Sequence, residues 1–237
     1  MLRGGEFFYS APMFIGHHGV AFAAKAAAPR ASLGVFFLAT MWLDLVWPVL
    51  VLGNIEIVRI VPGLMRMSPF DFVFYPYSHS LFFAILWALA FNLIYGYVMR
   101  DWQVGALVGL VVLSHWFLDV LVHRPDLPLF PGSGKFGLGL WNSMAGTLAL
   151  EFLFFGVGLF LYFRATCAKD WTGAWGLYGL IAFLVLLYFS TLVSPPPPNP
   201  QVLAWGGVST IILVIWAWWV DRPREAKTAV PLVKKAS

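Results

Sequence analysis

A chain of 237 residues that is 60% hydrophobic and 11% charged, with a mean hydropathy of +0.80, is too apolar for a soluble domain, which carries about 25% charged residues. A pI near 9.3 and a net charge of +4 do not point to nucleic acid, because the Lys and Arg residues sit at loop ends and in the C-terminal stretch, as membrane topology requires. The lone Cys167 excludes an internal disulfide.

Met1–Glu6 lacks the charged-then-apolar pattern of a signal peptide. The segment Pro12–Ala28 is short, Ala-rich and carries Lys25. It reads as a tilted span, a re-entrant helix or an interfacial helix. Within it, Gly16-His17-His18-Gly19 places two imidazoles about 100° apart on a helix, so one of the two faces any given site. A span needs about 20 apolar residues, and Ser32–Leu52 is the first to meet that length. It contains Asp44, a carboxylate that is costly to bury unless paired or metal-bound. A hydrogen bond to a neighbouring helix or a proton-relay role are the alternatives. Pro48 is expected to kink this helix and free backbone carbonyls.

His79–Met99 forms the next predicted span, with Ser78 as N-cap and the His79 imidazole in the first turn. Ser78 or Ser80 is expected to orient that ring, although an interfacial His also serves as a simple polar anchor. Gln103–Val122 follows, and its end carries the densest signal: His115, Asp119 and His123 recur at i, i+4 and i+8, which aligns them on one helical stripe. His115 and Asp119 suit one divalent ion of the zinc or manganese type. His123 reads as a ligand, a base or a surface residue, and a hydrogen-bonded triad without metal is the alternative for the stripe.

Leu140–Phe163 contains Glu151, a candidate general base, metal ligand or structural partner of Trp141 or Asn142. Ala174–Val193 and Val202–Val220 complete the predicted spans, joined by the stiff turn Ser194-Pro195-Pro196-Pro197-Pro198-Asn199-Pro200. Asp221–Ser237 reads as a charged, disordered tail. Glu56, Arg59, Asp71 and Arg124 either shape a site for an anionic substrate or line an ordinary solvated loop.

The expected architecture is therefore an all-α polytopic transmembrane bundle of six or seven helices. Residues 1–165 form a metal-site core, 166–220 add two C-terminal transmembrane helices, and 221–237 are tail. Of the 15 Lys and Arg, six strong spans leave only Arg59, Arg66, Arg124 and Lys135 opposite the C-terminus, which puts the C-terminus in the cytoplasm. A seventh span would add only Arg3 to that side. His115, Asp119, His123, Asp44 and His79 then share the outer half of the bilayer. His17 and His18 join them if the first segment spans. No Walker loop, dinucleotide fingerprint, GxSxG elbow or HExxH is present.

Taken in order, Gly16-His17-His18, Asp44, Ser78-His79-Ser80-Leu81 and Ser114-His115-Trp116-Phe117-Leu118-Asp119 resemble the predicted membrane-bound metal-dependent hydrolases, a family that includes the LexA-binding inner-membrane hydrolase. Pro128-Leu129-Phe130-Pro131 matches its P-L-x-x-P element, so the likeness covers roughly residues 13–135. The acidic motif keeps only Asp44, with Leu43 and Val46 beside it, and Ser78 stands where the family has Thr. A more distant similarity is to zinc-dependent phospholipases C. The resemblance implies His18 rather than His17 as a ligand, with Asp44, His79, His115 and Asp119. It implies a bacterial inner-membrane hydrolase acting on an ester or phosphoester, with a lipid or lipid-linked molecule as substrate and the bilayer as surroundings. Asp119 or Glu151 would accept the proton. A transporter or metal/proton relay using the same residues, and a scaffold stapled by metal, are the competing expectations.

Overall fold

Among the described residues, six helices are long and apolar enough to cross a membrane: Leu33–Leu52, Leu81–Met99, Trp102–Val122, Met144–Ala165, Thr172–Val193 and Pro200–Asp221. The computed structural model describes residues 15–227, so Pro12–Phe14 and the tail beyond Lys227 lie outside the described residues. The helices are α1 (Ile15–Ala27), α2 (Leu33–Leu52), α3 (Pro76–His79), α4 (Leu81–Met99), α5 (Trp102–Val122), α6 (Met144–Ala165), α7 (Leu177–Val193), α8 (Pro200–Ser209) and α9 (Ile211–Asp221). A wide helical turn over Thr172–Gly176 leads into α7. The result is the all-α bundle expected from the apolar runs.

Five helix starts, those of α2, α4, α5, α6 and α8, carry a side-chain cap. Ser32, Ser80, Asp101, Ser143 and Asn199 accept the backbone N–H of Gly34, Phe83, Val104, Gly146 and Val202, respectively. One boundary differs from expectation. Ser80, not Ser78, caps the long helix α4, and His79 ends the one-turn helix α3, which Pro76 opens. The backbone break at Ser80 lets the His79 side chain turn into the bundle.

Lipid gives apolar helices no reason to associate, so contact surfaces rely on small residues and polar links. Gly19 of α1 and Gly158 of α6 meet backbone to backbone: a Cβ at Gly158 would lie 2.0 Å from the Gly19 carbonyl oxygen. This contact draws α1 into the interior, with His17, His18, Phe22 and Lys25 all buried. The interfacial alternative for this segment therefore gives way to a buried helix packed between α2, α5 and α6.

Two small antiparallel hairpins and one long-range pair of strands accompany the helices. β1 (Ile57–Ile60) pairs with β2 (Phe70–Phe74), β3 (Leu127–Pro128) with β4 (Lys135–Phe136), and β5 (Thr166–Ala168) with β6 (Arg224–Ala226). The stretch from Asp221 is not simply a tail. Asp221 is buried as the last residue of α9, and Arg224–Ala226 pairs with β5, the strand that follows α6. The Lys25 Nζ donates to Asp221 Oδ2 at 2.8 Å and to the Ala31 carbonyl at 2.7 Å, while Asp221 Oδ2 also accepts the Leu33 N–H at 2.9 Å. One carboxylate thus ties α1, the start of α2 and the end of α9.

Removing one partner of a buried pair strands the other charge, at a cost of about 3–5 kcal/mol, whereas an apolar pair of similar volume is often neutral. Asp221→Ala is expected to lower the thermal midpoint of the detergent-purified protein markedly. The double variant Lys25→Met/Asp221→Leu should recover most of that loss in the same melting experiment.

Candidate metal centre

Four separate elements deliver five donor-bearing side chains to one point. His17 comes from α1, Asp44 from α2, His79 from the end of α3, and His115 and Asp119 from adjacent turns of α5. The expected i, i+4 pairing on α5 is present, with His115 Nε2 3.2 Å from Asp119 Oδ2. Asp119 reaches His79 Nε2 with Oδ2 at 3.7 Å and His17 Nε2 with Oδ1 at 3.6 Å. Asp44 Oδ1 completes the ring, 3.4 Å from His79 Nε2 and 3.7 Å from His115 Nε2.

The spacing can be tested against a single ion. Four donors about 2.0–2.2 Å from zinc at the corners of a tetrahedron stand about 3.3–3.6 Å apart. The His–carboxylate pairs, at 3.2–3.7 Å, match that edge, and the donor atoms gather as two triples that share His115 rather than as one set of four. Two subsets, His17/His115/Asp119 and Asp44/His79/His115, each bring their ligand atoms within 4.8 Å of one another. Nε2 of His17 and Nε2 of His115, both beside Asp119, are buried without a hydrogen-bond partner, a costly arrangement unless something occupies the centre. His17 Nδ1 is also without one, and an ion at the centre would not serve it. Histidine and carboxylate donors are those a divalent transition metal takes. The residues present fit such an ion.

Hydrogen bonds behind the ligands set the tautomers. His115 Nδ1 lies 2.5 Å from the Thr40 carbonyl of α2. A carbonyl only accepts, so Nδ1 carries the proton and Nε2 keeps its lone pair for the centre. His79 Nδ1 is 2.8 Å from Ser78 Oγ, whose hydroxyl in turn meets Glu56 Oε2 at 2.6 Å. Ser78 donates to the carboxylate and accepts from the ring, which again turns Nε2 inward. Glu56 also accepts the backbone N–H groups of Tyr77 and Ser78 at 2.8 and 2.9 Å. Burial pushes the Glu56 carboxyl up, against the opposing pull of the Ser78 hydroxyl and amide. The expectation that Ser78 or Ser80 orients His79 resolves to Ser78, because the Ser80 hydroxyl is committed to the cap of α4. Trp116 Nε1 donates to the His79 carbonyl at 3.0 Å and holds the break in place.

Beside the ligands lies a cavity of about 460 Å³, lined at one end by Asp44, His79, Asp119, His123 and Trp141. Asp44 keeps 31% of its side-chain surface, against 5% or less for the other four, so it is the donor the cavity reaches. His123 Nδ1 is 2.9 Å from Asp126 Oδ1, and Tyr75 donates its hydroxyl to the same oxygen at 3.0 Å. Burial, together with the Asp126 charge, holds the Tyr75 phenol well above its ordinary range, so it remains a donor. Arg124 pairs with Asp126 through Nε at 3.2 Å and with Asp71 through a second nitrogen. Its charge is thereby compensated on both sides rather than presented to an anion.

Two predicted residues stand elsewhere. His18 points away from the cluster, with its ring edge-on to Phe37 at 4.8 Å, and His17 occupies the place the resemblance gave to it. Glu151 is buried opposite α1, where it accepts the Gly16 N–H at 2.6 Å; it does not line the cavity and is not poised to take a proton there. The residues that sequence reasoning missed are Thr40, Tyr75 and Asp126. Asp126 carried a signal, an acid three residues after His123. Thr40 acts through its carbonyl and carried none.

The chain matches no family model, no curated protein and no solved structure.

Elemental analysis of purified protein is expected to find zinc or manganese in the wild type and in His18→Ala, with near-complete loss in His17→Ala, His79→Ala and His115→Ala. Ser78→Ala and Glu56→Gln leave the ligands intact and should weaken the metal about 10–100-fold, read by competition with a chelating dye.

Proposed function

We propose that this protein is an integral membrane metal-dependent hydrolase that cleaves an ester or phosphoester bond of a lipid or lipid-linked substrate. The observation that carries this reading is the convergence of His17, Asp44, His79, His115 and Asp119, with imidazole lone pairs turned inward, at the head of a largely apolar cavity. The motif likeness to predicted membrane-bound metal-dependent hydrolases supports the same chemistry and a bacterial inner membrane. The Lys and Arg distribution supports a cytoplasmic C-terminus and a site in the outer half of the bilayer.

A bound zinc ion, or manganese in its place, supplies Lewis acidity and a nucleophilic water at neutral pH. The chain's own residues do the rest. His17, His79, His115 and Asp119 bury the centre, and Asp44 faces the substrate side. Asp119 has two oxygens within reach of the imidazoles and is the carboxylate positioned to take a proton from the attacking water. His123, oriented through Nδ1 by Asp126, keeps Nε2 for exchange with the leaving group. Trp47, Phe70 and Phe72 close the polar end with apolar surface, which strengthens every electrostatic contact inside.

A transport reading needs polar groups continuing across the bundle. Beyond the cluster the cavity wall is mainly apolar, with Phe183, Leu187, Leu203, Ile212 and Leu213, and its hydroxyls at Thr191, Ser209 and Thr210 are bonded to their own helices. The buried Lys25–Asp221 pair is not part of that wall, which favours hydrolysis over a relay through the cavity.

Purified protein in phospholipid vesicles is expected to release a phosphate- or acid-bearing product, to stop on chelation, and to recover on adding zinc or manganese. His123→Gln should retain its metal while losing about 100-fold or more in kcat. Metal that raises thermal stability without turnover on any lipid ester would overturn the reading in favour of a structural staple.

A further inference from the structure

The cavity does not end at the metal centre. From Asp44 it continues between α2 and the C-terminal helices, walled by Phe183, Leu187 and Thr191 of α7 and by residues 202–213 of α8 and α9. The stretch from Val202 to Leu213 is broken at Thr210, and Gly207 in its middle stands beside Pro48 and the Asp44 carbonyl, so the wall flanks Asp44 on both sides.

The wall offers nothing to a polar ligand. Its three hydroxyls are turned back onto their own helices: Thr191 donates to the Tyr188 carbonyl at 2.7 Å, Ser209 to Gly206 at 2.6 Å and Thr210 to Gly207 at 2.7 Å. The glycine pair divides two tasks. Gly207 lets α8 settle on α2, because a Cβ there would stand 3.0 Å from Pro48 Cγ. Gly206 also lines the cavity, but a Cβ there would meet nothing within 4 Å. Gly206 is exposed, as are Val202, Phe183 and Ile212, so the groove opens there along the outside of the bundle.

We propose that this groove binds one hydrocarbon chain of the substrate lipid, with the lipid's polar head at the Asp44–His123 end, and that Gly206 sets how much chain it accepts. A volume of about 460 Å³ is in the range of built ligand sites, about 300–1,000 Å³. Continuity with the cluster argues for a lipid whose head is processed there, so the assignment rests on the hydrolase reading. It also gives the C-terminal helices a role in the site that the ligand motifs do not include.

The test uses full-length protein in phosphatidylcholine vesicles doped with a glycerophospholipid carrying a diazirine near the end of one acyl chain. Photolabel is expected on α7 and α8–α9, at residues such as Leu187, Leu203 and Leu213. Gly206→Phe should lower it about tenfold, the scale on which an apolar pocket discriminates bulk. Metal content should not change, and cleavage of a water-soluble phosphoester such as bis(p-nitrophenyl) phosphate should match wild type while cleavage of the long-chain lipid falls. Label spread equally over the outward face of α4 at Leu93 and Ile94, or unaltered in Gly206→Phe, would identify surrounding bilayer lipid only and overturn the proposal. Groove labelling that persists in protein devoid of metal and turnover supports the chain site and counts against the hydrolase reading alone.

Discussion

The whole arrangement depends on keeping polar atoms satisfied far from water. Burying one imidazole or carboxylate between apolar helices is expensive, and five at one point are tolerable only if every atom has a partner or a cation. The structure meets that demand for His79, His115 and His123, and leaves His17 Nδ1 without a partner. Thr40, Ser78 and Glu56 hold the outward nitrogens of His115 and His79, which leaves the inward nitrogens for the centre. Asp126, Tyr75 and Arg124 hold His123 in the same manner. Thr40, Glu56 and Tyr75 lie far along the chain from the groups they hold, so the bonds that aim the imidazoles also tie separate helix ends together.

Much of the bundle was legible because a membrane-spanning helix is written as a long apolar run. Asp44, His79, His115 and Asp119 stood out because ionisable groups are rare in such runs. What was not legible had physical reasons. Choosing between His17 and His18 is a matter of a rotation of about 100° about α1, which only the position of its neighbours decides. Ser78 and Ser80 are chemically identical as caps, and the choice fell to Ser80 once Pro76 had opened its own turn. Glu56 looked like a loop acid, yet a hairpin folds the chain so that it returns beneath Ser78.

The C-terminal third shows a different limit. Charged residues from Asp221 onward have the composition of a solvated tail, and the partner that buries Asp221 is Lys25, 196 positions away. Likewise the last helices carry no ligand motif and looked like an appendage after residue 165. Their packing is set by Gly207 against Pro48 and by Gly34 against Trp218, contacts whose meaning depends on which helices are neighbours. Small residues announce a close approach but do not say to what.

The interruption at Thr210 gives these helices unequal mechanics. The final crossing is two rods rather than one: α9 is moored through Asp221 and the strand beyond it, whereas α8 follows a proline-rich elbow and rests on α2 through Gly207. A guest arriving sideways from the leaflet meets the exposed Val202 and Gly206 edge of the shorter rod, while the Lys25–Asp221 tie that fixes the other rod stands outside the groove wall.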